Sequence, residues 1–238
     1  MKLLAIETAT EACSIAVHCD GEVRERFAIA PRRHAELALP WAEALLAEAG
    51  IARTQLDAIA VGRGPGAFTG VRLGIALAQG IALALDIPVL PVSTLAALAM
   101  QAAPGRVIAA IDARMGEVYL GRFLRTDDGC DALVAEAVLA PQLAPVPDAP
   151  GWQGLGTGFA AMDGALHTRL AAALREVDAT ALPHAADTAR LGAIAYANGE
   201  GLPPERIEPA YLRDRVALTL AEQAAARQAR GLAAGGGA

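Results

Sequence analysis

A glycine-rich segment in the first third of the chain has the residue types that could bind an anion. The segment 62–66, Gly-Arg-Gly-Pro-Gly, follows the apolar run 58–61 and precedes a helix predicted over Thr69–Leu85. This order brings the free amides at a helix N-terminus to one point, which suits a phosphate or a closely packed backbone. A phosphate-binding P-loop is excluded, since the Gly-Lys-Ser/Thr that should end it is replaced by Thr69-Gly70-Val71.

Two other interpretations of the glycine segment stay open. Residues 62–67 match the dinucleotide-binding pattern G-x-G-x-x-A, and Asp86 follows about twenty residues later, as that pattern requires. Against it, Asp86 precedes the next predicted strand, whereas the acidic residue of a dinucleotide site normally lies at the end of that strand. The second interpretation is structural: a glycine-rich turn lets the following helix pack tightly on a sheet.

Histidine and cysteine could bind a transition metal or act as nucleophiles, but their spacing predicts neither role. His34 stands alone, and the other three histidines show no ligand spacing. Cys13, Cys19 and Cys130 are an odd number without C-x-x-C spacing, so they predict neither a disulfide framework nor a metal site. We therefore predict no metal and a reduced, cytoplasmic chain, since Glu7 interrupts the N-terminal apolar run too early for a signal peptide.

The elements that position these residues form a pattern that occurs twice. In the first half the order βββαβαβα is predicted, and Asp20-Gly21 is a hairpin signal between the second and third strands. The predicted bounds are 2–7, 12–19, 22–28, 31–49, 58–61, 69–85, 89–92 and 94–103.

The second half begins like the first and then departs from it. Strands are predicted at 107–111, 116–124, near 132–137 and at 152–155, a proline-rich connection at 141–150, and helices near 160–174 and 187–198. The sequence therefore predicts two similar α/β lobes, residues 1–105 and a decayed copy at 106–215, with a cleft between them. A C-terminal helix with a frayed tail is predicted at 216–238.

Composition limits the function further. The 238 residues are 54% hydrophobic and 4% aromatic, so the core must consist of small and branched aliphatic side chains. The net charge of −6 disfavours independent tight binding of RNA, which needs a basic face. The helix over Thr69–Leu85 is apolar, but Arg72 and Gln79 interrupt it, and its apolar length falls short of the roughly 20 residues of a membrane span. We predict no membrane association.

Five motifs, in order along most of the chain, resemble the TsaB family, also called YeaZ. They are Ile6-Glu7-Thr8-Ala9-Thr10, Arg33-His34-Ala35-Glu36-Leu37, Gly-Pro-Gly-Ala-Phe-Thr-Gly-Val-Arg-Leu-Gly at 64–74, Asp-Ala-Arg-Met-Gly-Glu-Val-Tyr at 112–119, and Pro209-Ala210-Tyr211-Leu212-Arg213. The Gly-Pro-Gly-x-Phe-Thr-Gly-x-Arg run is highly specific to that family. The resemblance implies the actin-like ATPase fold, shared with sugar kinases, for both lobes.

The resemblance also implies a role and partners. It implies a part in attaching threonylcarbamoyl to the adenosine next to the tRNA anticodon, as scaffold for a catalytic paralogue, TsaD, together with an ATPase, TsaE. We expect a homodimer when the chain is alone, and contact with tRNA only through the complex.

The same comparison implies that this chain is not the catalyst. The paralogue binds its metal through an Asn-His-Met-Glu-Gly-His stretch, and the corresponding residues 93–98 read Ser-Thr-Leu-Ala-Ala-Leu. Thr94 and Leu98 stand where two histidines are expected, and a leucine side chain cannot bind a metal. We expect a non-catalytic subunit without catalytic residues.

Nucleotide binding is weakened for a related reason. Actin-like ATPases hold phosphates with two glycine-bearing hairpins, but the first hairpin here, 7–12, has no glycine and carries Glu11. The residues that the resemblance leaves for a nucleotide are Thr8, Asp112, Arg114, Gly154 and Gly156. Asp112 and Glu117 could hold Mg²⁺ through water, although a turn-capping role for Asp112 is favoured. No cofactor is expected to be required, and ATP or ADP should bind weakly.

Two helices, 34–49 and 69–85, carry apolar residues on more sides than one sheet can cover, which is typical of an interface. By resemblance they form a four-helix contact with the paralogue or a second copy. The chosen interface residues are His34, Leu37, Trp41, Leu45, Arg72, Ile75 and Gln79. Gly70, Gly74 and Ala78 form a small-residue row that should admit another helix, so a charge at Gly74 or Ile75 should block pairing without unfolding the chain.

Two other functions stay open. One is an autonomous ATP-dependent kinase or acyltransferase of the same fold, whose turnover of ATP would be abolished by Asp112→Ala. The other is a metallopeptidase, and the missing histidine pair counts against it.

Overall fold

The computed structural model describes residues 1–213, and its first lobe is built on a five-stranded sheet. The strands are β1 (Lys2–Glu7), β2 (Ala12–Cys19), β3 (Glu22–Ile29), β4 (Ala58–Gly62) and β5 (Val89–Val92). Their order in the sheet is β3-β2-β1-β4-β5; β1 pairs antiparallel with β2 and parallel with β4. Asp20 and Gly21 both have positive φ, so the predicted two-residue hairpin turn is confirmed.

Helices α1 (His34–Glu48) and α2 (Phe68–Leu85) cover one face of this sheet. The alternation of β1 explains how the sheet is covered, because Leu4 and Ile6 belong to the core beneath these helices. Leu3 and Ala5 point to the opposite face and belong to a separate core. Both faces of β1 are buried, as its continuous apolar run predicts.

The second lobe repeats the strand order of the first. Its strands are β6 (Gly105–Arg114), β7 (Glu117–Arg125), β8 (Cys130–Ala132), β9 (Ala137–Leu139), β10 (Trp152–Leu155) and β11 (Leu174–Asp178). The sheet order β8-β7-β6-β10-β11 matches β3-β2-β1-β4-β5 strand for strand, including the antiparallel and parallel pairings. This repeat is the actin-like architecture, and the predicted fold class is confirmed.

The second lobe differs from its prediction in three places. Strand β11 was not predicted, and the single strand near 132–137 is instead the two short strands β8 and β9. Helix α4 (Ala161–Leu170) starts irregularly, because Met162, Asp163 and Gly164 have left-handed backbone angles. The proline-rich segment 141–150 is a connection, as predicted: it contains a single 3₁₀ turn, so no α-helix precedes β10 in this lobe as α1 precedes β4. The tail predicted at 216–238 lies outside the described residues.

The last helix of each lobe packs on the sheet of the other lobe. Helix α3 (Thr94–Ala99) contacts β6 and β7, where Leu95 and Leu98 join the core around Phe123. Helix α5 (Ala185–Ala197) contacts β1, β2 and β4 and covers the face that Leu3 and Ala5 present. The approach of α5 is close: a Cβ added to Gly192 would lie 2.6 Å from the Cβ of Ala60. Because α3 and α5 are exchanged in this way, the two lobes share their cores. The division of the chain at residue 105 stays a prediction.

Candidate functional site

The glycine segment brings α2 against the hairpin that joins β1 and β2. A Cβ on Gly66 would lie 2.3 Å from the carbonyl oxygen of Ala9, and one on Gly70 would lie 2.1 Å from that of Thr8. The Thr8 hydroxyl donates a hydrogen bond to the Gly70 carbonyl at 2.8 Å. Only glycine permits these distances, so the structural interpretation of the segment is the one that its geometry supports.

A buried carboxylate lies beside this segment. Glu7 accepts hydrogen bonds from the Ala9 amide at 2.9 Å and from the Thr94 hydroxyl at 3.2 Å. A Cβ on Gly62 would lie 2.0 Å from a Glu7 carboxylate oxygen, so glycine is required there as well. Burial raises the pKa of Glu7 to about 7, although these hydrogen bonds oppose the shift. Thr94, where a histidine was expected from the resemblance, therefore supports Glu7 instead.

A cavity of about 870 Å³ lies between the two lobes. Its walls come from the β1–β2 hairpin, the start of α2, the β6–β7 hairpin and residues 209–213. Helix α2 begins in this wall with Ala67 as its N-cap, which offers no side-chain acceptor to the first amides. The cavity is the predicted cleft.

The structure divides the predicted nucleotide-binding residues into two groups. Asp112 and Arg114 line the cavity, where the Asp112 carboxylate accepts from the Arg114 amide at 2.8 Å and pairs with its guanidinium at 3.0 Å. Asp112 therefore caps the turn, as favoured. Thr8, Gly154 and Gly156 are not part of the lining.

The two glycines of the second group are needed for packing. A Cβ on Gly154 would lie 2.7 Å from the ring of Phe159, and one on Gly156 would lie 2.2 Å from the Ala110 carbonyl. Gly156 also has a φ of +109°, which side chains rarely adopt. Glycine at these two positions lets the β10–α4 connection pack closely on β6. The assignment of Gly154 and Gly156 to nucleotide binding is corrected to this packing role.

The last described segment, 199–213, crosses both lobes. Leu202 bridges to Val89 at the edge of the first sheet, and the Gln79 amide donates to the carbonyls of Pro204 at 2.9 Å and Ile207 at 3.3 Å. Further on, the Arg213 guanidinium pairs with Glu117 of β7 at 2.5 Å. Segment 199–213 therefore connects α2 to the β6–β7 hairpin.

Arg72 lies between two aromatic rings at the mouth of the cavity. Its guanidinium carbon is 3.2 Å from the centroid of Phe68 and 5.1 Å from that of Tyr211. Arg72 also donates a hydrogen bond to the Tyr211 hydroxyl. Sequence reasoning missed this cluster, because Arg72 and Tyr211 are 139 residues apart. The family motifs that contain them were the only available signal.

Several predicted interface residues face the chain's own core. His34 is buried, and its Nε2–H donates to the carbonyls of Thr10 at 3.0 Å and Ala12 at 3.1 Å. Leu45 and Ile75 are 1% and 5% exposed and belong to the first-lobe core. A partner cannot reach the Leu45 and Ile75 side chains in this conformation, and the His34 ring, which lines the cavity, is held by the two carbonyls; this corrects their assignment.

The remaining four predicted interface residues are partly accessible. Leu37 and Trp41 are half-buried and packed against the first-lobe core. Gln79 and Arg72 are half-buried as well, but both make the intramolecular hydrogen bonds described above. Whether these residues meet a partner stays a prediction.

The small-residue row of α2 also faces inward. A Cβ on Gly74 would lie 2.7 Å from the Thr8 hydroxyl oxygen, and Ala78 is fully buried. A charge at Gly74 or Ile75 would therefore disturb the fold, contrary to the prediction. The reason is that Gly74 meets side chains of β1 and β4, and Ile75 belongs to the first-lobe core.

The opposite side of α2 is open, apolar and uncharged. Leu83 is 74% exposed, and nothing lies within 4 Å of a Cβ added to Gly80. We call this side the α2 outer face; its residues are Thr69, Leu73, Ala76, Leu77, Gly80, Leu83 and Ala84. Within residues 1–213, α2 is the one helix long and apolar enough to cross a membrane, but its other side is packed on the first sheet.

Comparisons with known proteins point to one family. Residues 28–217 match the family model described as TsaD, tRNA N6-adenosine threonylcarbamoyltransferase. The chain is 41% identical to tRNA threonylcarbamoyladenosine biosynthesis protein TsaB of Escherichia coli (strain K12), over 91% of this chain and 96% of that protein. It is 36% identical to the protein of the same name from Haemophilus influenzae, over 91% and 95% of the two chains.

A solved structure gives the same result for the fold. The structure of YeaZ from Pseudomonas aeruginosa superposes with a TM-score of 0.83 at 46% sequence identity. It covers 89% of this chain and 99% of that chain.

Proposed function

The chain belongs to the TsaB family of tRNA threonylcarbamoyladenosine biosynthesis proteins, and we propose that it is the non-catalytic scaffold subunit of the complex that makes this modification. In this proposal it binds and activates a catalytic paralogue of the TsaD type, and a TsaE-type ATPase joins the two. Alone, the chain forms a homodimer through the surface that the paralogue otherwise covers. In this proposal the complex acts in the cytoplasm and does not bind a membrane.

The observation that carries the proposal is the α2 outer face. Leu83 is exposed there beside the small residues Ala76 and Gly80, Leu73 and Leu77 are half-buried, and the sequence between Arg72 and Asp86 has no charge. An uncharged apolar helix side that is partly exposed is typical of a protein–protein interface. The small residues allow close approach of a partner helix, as the row Gly70, Gly74 and Ala78 was expected to do.

Two features support a non-catalytic role. By the resemblance, Thr94 and Leu98 stand where the paralogue has two metal-binding histidines, and both side chains are fully buried. Within residues 1–213, no three His, Cys, Asp or Glu side chains are grouped as a metal site would need. We propose that the chain binds no catalytic metal and requires no cofactor.

Any binding of ATP or ADP in the cavity should be weak. The Asp112 carboxylate is engaged with Arg114, and Gly154 and Gly156 are filled by packing. The cavity thus offers a nucleotide the Arg114 side chain and the polar lining, without the loops that hold phosphates in an active ATPase.

Reconstitution with purified proteins tests the proposal. The chain, a TsaD-type paralogue and a TsaE-type ATPase are mixed with tRNA, threonylcarbamoyl adenylate as the donor, and ATP. Threonylcarbamoyladenosine is then quantified with each protein left out in turn. We expect no modification without this chain, and co-elution of the chain with the paralogue in size-exclusion chromatography. Full modification in its absence would contradict the proposal. ATP turnover by the chain alone, lost in Asp112→Ala, would instead favour an autonomous kinase or acyltransferase.

A further inference from the structure

The mouth of the cavity concentrates positive charge in an acidic protein. The chain has a net charge of −6, yet the described lining contains four arginines against the carboxylates of Glu11 and Asp112, and Glu117 pairs with one of the four, Arg213. The arginines come from separate parts of the chain: Arg32, Arg72, Arg114 and Arg213. Since phosphate is bound mainly by such local positive charge, this surface suits a phosphate-bearing ligand.

The ion pairs at this surface orient the arginines and leave donors available. The Arg114 side chain is 83% exposed and uses one guanidinium N–H on Asp112. A guanidinium has five N–H donors in a fixed planar arrangement, so Arg114 can bind a phosphate while the pair with Asp112 persists. Arg213 is held in a similar way by Glu117 and by the Ala113 carbonyl.

Two exposed aromatic rings accompany the arginines. Phe68 is 63% exposed and Tyr211 is 61% exposed, although both are large side chains with an apolar ring. Arg72 covers one face of the Phe68 ring at 3.2 Å and holds Tyr211 through its hydroxyl. The rings are thus fixed in place with accessible surface, which is the arrangement on which unpaired nucleic-acid bases stack.

We propose that the mouth of this cavity binds unpaired nucleotides of the RNA substrate, with phosphates on Arg114 and Arg32 and a base on Tyr211 or Phe68. This inference rests on the proposed function, in which the complex acts on tRNA. The contact is too small for tight binding by the chain alone, in keeping with its net charge, and adds to the affinity of the assembled complex. It gives this subunit a direct part in holding the RNA.

A free nucleotide has the same phosphate and base chemistry, and the position of the groups favours RNA. Small ligands are usually enclosed over most of their surface. Here the rings and Arg114 lie at the exposed rim. A strand of RNA can contact both the Phe68–Arg72–Tyr211 cluster and the other arginines of the lining, whereas a mononucleotide would leave most of them unused.

The experiment measures RNA binding by the assembled complex with fluorescence anisotropy. The probes are a labelled RNA hairpin with an unpaired loop, a fully paired RNA duplex of the same length, and labelled ATP. The variants are Arg114→Ala, Tyr211→Ala and the conservative Tyr211→Phe. The control is Arg53→Ala, which removes an exposed arginine outside the cavity that pairs with Glu43. Co-elution with the paralogue is checked for every variant.

We expect Tyr211→Ala to weaken binding of the looped hairpin about 5-fold or more, while Tyr211→Phe, which keeps the ring but loses the hydrogen bond from Arg72, weakens it less. Arg114→Ala should lower the slope of log affinity against log salt by about 0.7, the value for one single-strand phosphate contact. Arg53→Ala should leave the hairpin affinity and the salt slope unchanged. Binding of the duplex should be the same for Tyr211→Ala as for the wild type. Wild-type hairpin binding by both cavity variants in an intact complex would overturn the inference, and so would an effect confined to ATP. Loss of the complex in the wild type would instead refute the proposed function.

Discussion

The Glu25 carboxylate of β3 accepts a hydrogen bond from Nδ1 of His184, the residue before α5, at 2.9 Å. The same carboxylate accepts from the Ala186 amide at 3.0 Å and from the Ser14 hydroxyl at 2.6 Å. Ser14 in turn accepts from the Ala185 amide at 2.8 Å. Residues of the first sheet therefore cap a helix that follows it by about 160 positions in the chain, and they fix α5 on that sheet.

This pair predicts a pH-dependent stability. The hydrogen bond to Glu25 raises the pKa of His184, so its contribution is complete below the usual imidazole value near 6.5 and is lost as the pH rises through the raised value. Burial opposes the charge on Glu25, but its hydrogen bonds prevail and lower its pKa, so its contribution is lost only as the pH falls through that lowered value. The pair therefore stabilises the fold most at pH values between the lowered pKa of Glu25 and the raised pKa of His184.

We expect Glu25→Gln to lower the free energy of unfolding more at about pH 5.5 than at about pH 8, by about 1 kcal/mol after screening by solvent. Urea unfolding at both pH values measures this difference. Glu22→Gln, on the same strand but exposed, should show no such difference. An equal loss at both pH values would mean that the His184 charge does not contribute.

At the buried carboxylate of Glu7, in contrast to Glu25, we expect a neutral substitution to stabilise the protein. Since burial raises its pKa to about 7, the stability conferred by the neutral carboxyl is present below its usual value of 4.5 and is lost as the pH rises through about 7. We expect Glu7→Gln to gain up to about 3 kcal/mol relative to the wild type between about pH 5 and pH 8. Urea denaturation of both proteins checks this. Glu11→Gln, four residues on and exposed, should follow the wild type.

The two sides of α2 predict opposite effects of added charge. Gly80→Glu should leave the fold intact, because the position is open, and should abolish co-elution with the paralogue. Gly74→Glu should unfold or strongly destabilise the chain, because its Cβ would lie only 2.7 Å from the Thr8 hydroxyl oxygen and the charged side chain would be buried. Circular dichroism and size-exclusion chromatography separate the two outcomes. Thr168→Glu, on an exposed side of α4, is the control. Normal co-elution of Gly80→Glu would exclude the α2 outer face as the interface.

The same helix predicts a difference between two glycines in their response to alanine. Gly80→Ala should raise the free energy of unfolding by about 0.5–1 kcal/mol, since alanine is the better helix former and meets no atom there. Gly70→Ala should lower it by at least about 1–3 kcal/mol, because its Cβ would overlap the Thr8 carbonyl. Chemical denaturation of the two variants in parallel measures both changes. A stable Gly70→Ala would show that the hairpin can move away from α2.

Local sequence signals predicted most of the elements. The sequence predicts the bounds of β1, β2 and β5 to the residue, because each is a mostly apolar run with turn residues at its ends. It also predicts the bounds of β10, Trp-Gln-Gly-Leu, which lies between Gly151 and Gly156. Strand β11 was missed because its sequence, Leu-Arg-Glu-Val-Asp, is polar and lies at the edge of its sheet. The start of α4 was missed because Met162 and Asp163 adopt left-handed angles that their residue types do not indicate.

The candidate site depended on contacts between distant residues and was harder to predict. The helical periodicity of α2 showed that small and large residues alternate, but it could not show which side meets the sheet. That orientation is decided by the Thr8 and Ala9 carbonyls, which admit only Gly66 and Gly70. The sequence places His34 at an interface, since nothing local indicates that its ring donates to the carbonyls of the hairpin 22 to 24 residues earlier.

The exchange of α3 and α5 has a consequence for fragments of the chain. A cut in the loop before Gly105 would leave the first fragment with a bare inner sheet, because its cover, α5, is encoded in the second fragment. The second fragment would likewise lack α3, whose leucines complete its inner core. Each fragment thus carries the helix that the other lacks. The two fragments should assemble into the native fold when they are co-expressed, although neither should fold alone. Truncation at the border between the lobes therefore prevents both from folding, because each supplies the helix that covers the other's sheet.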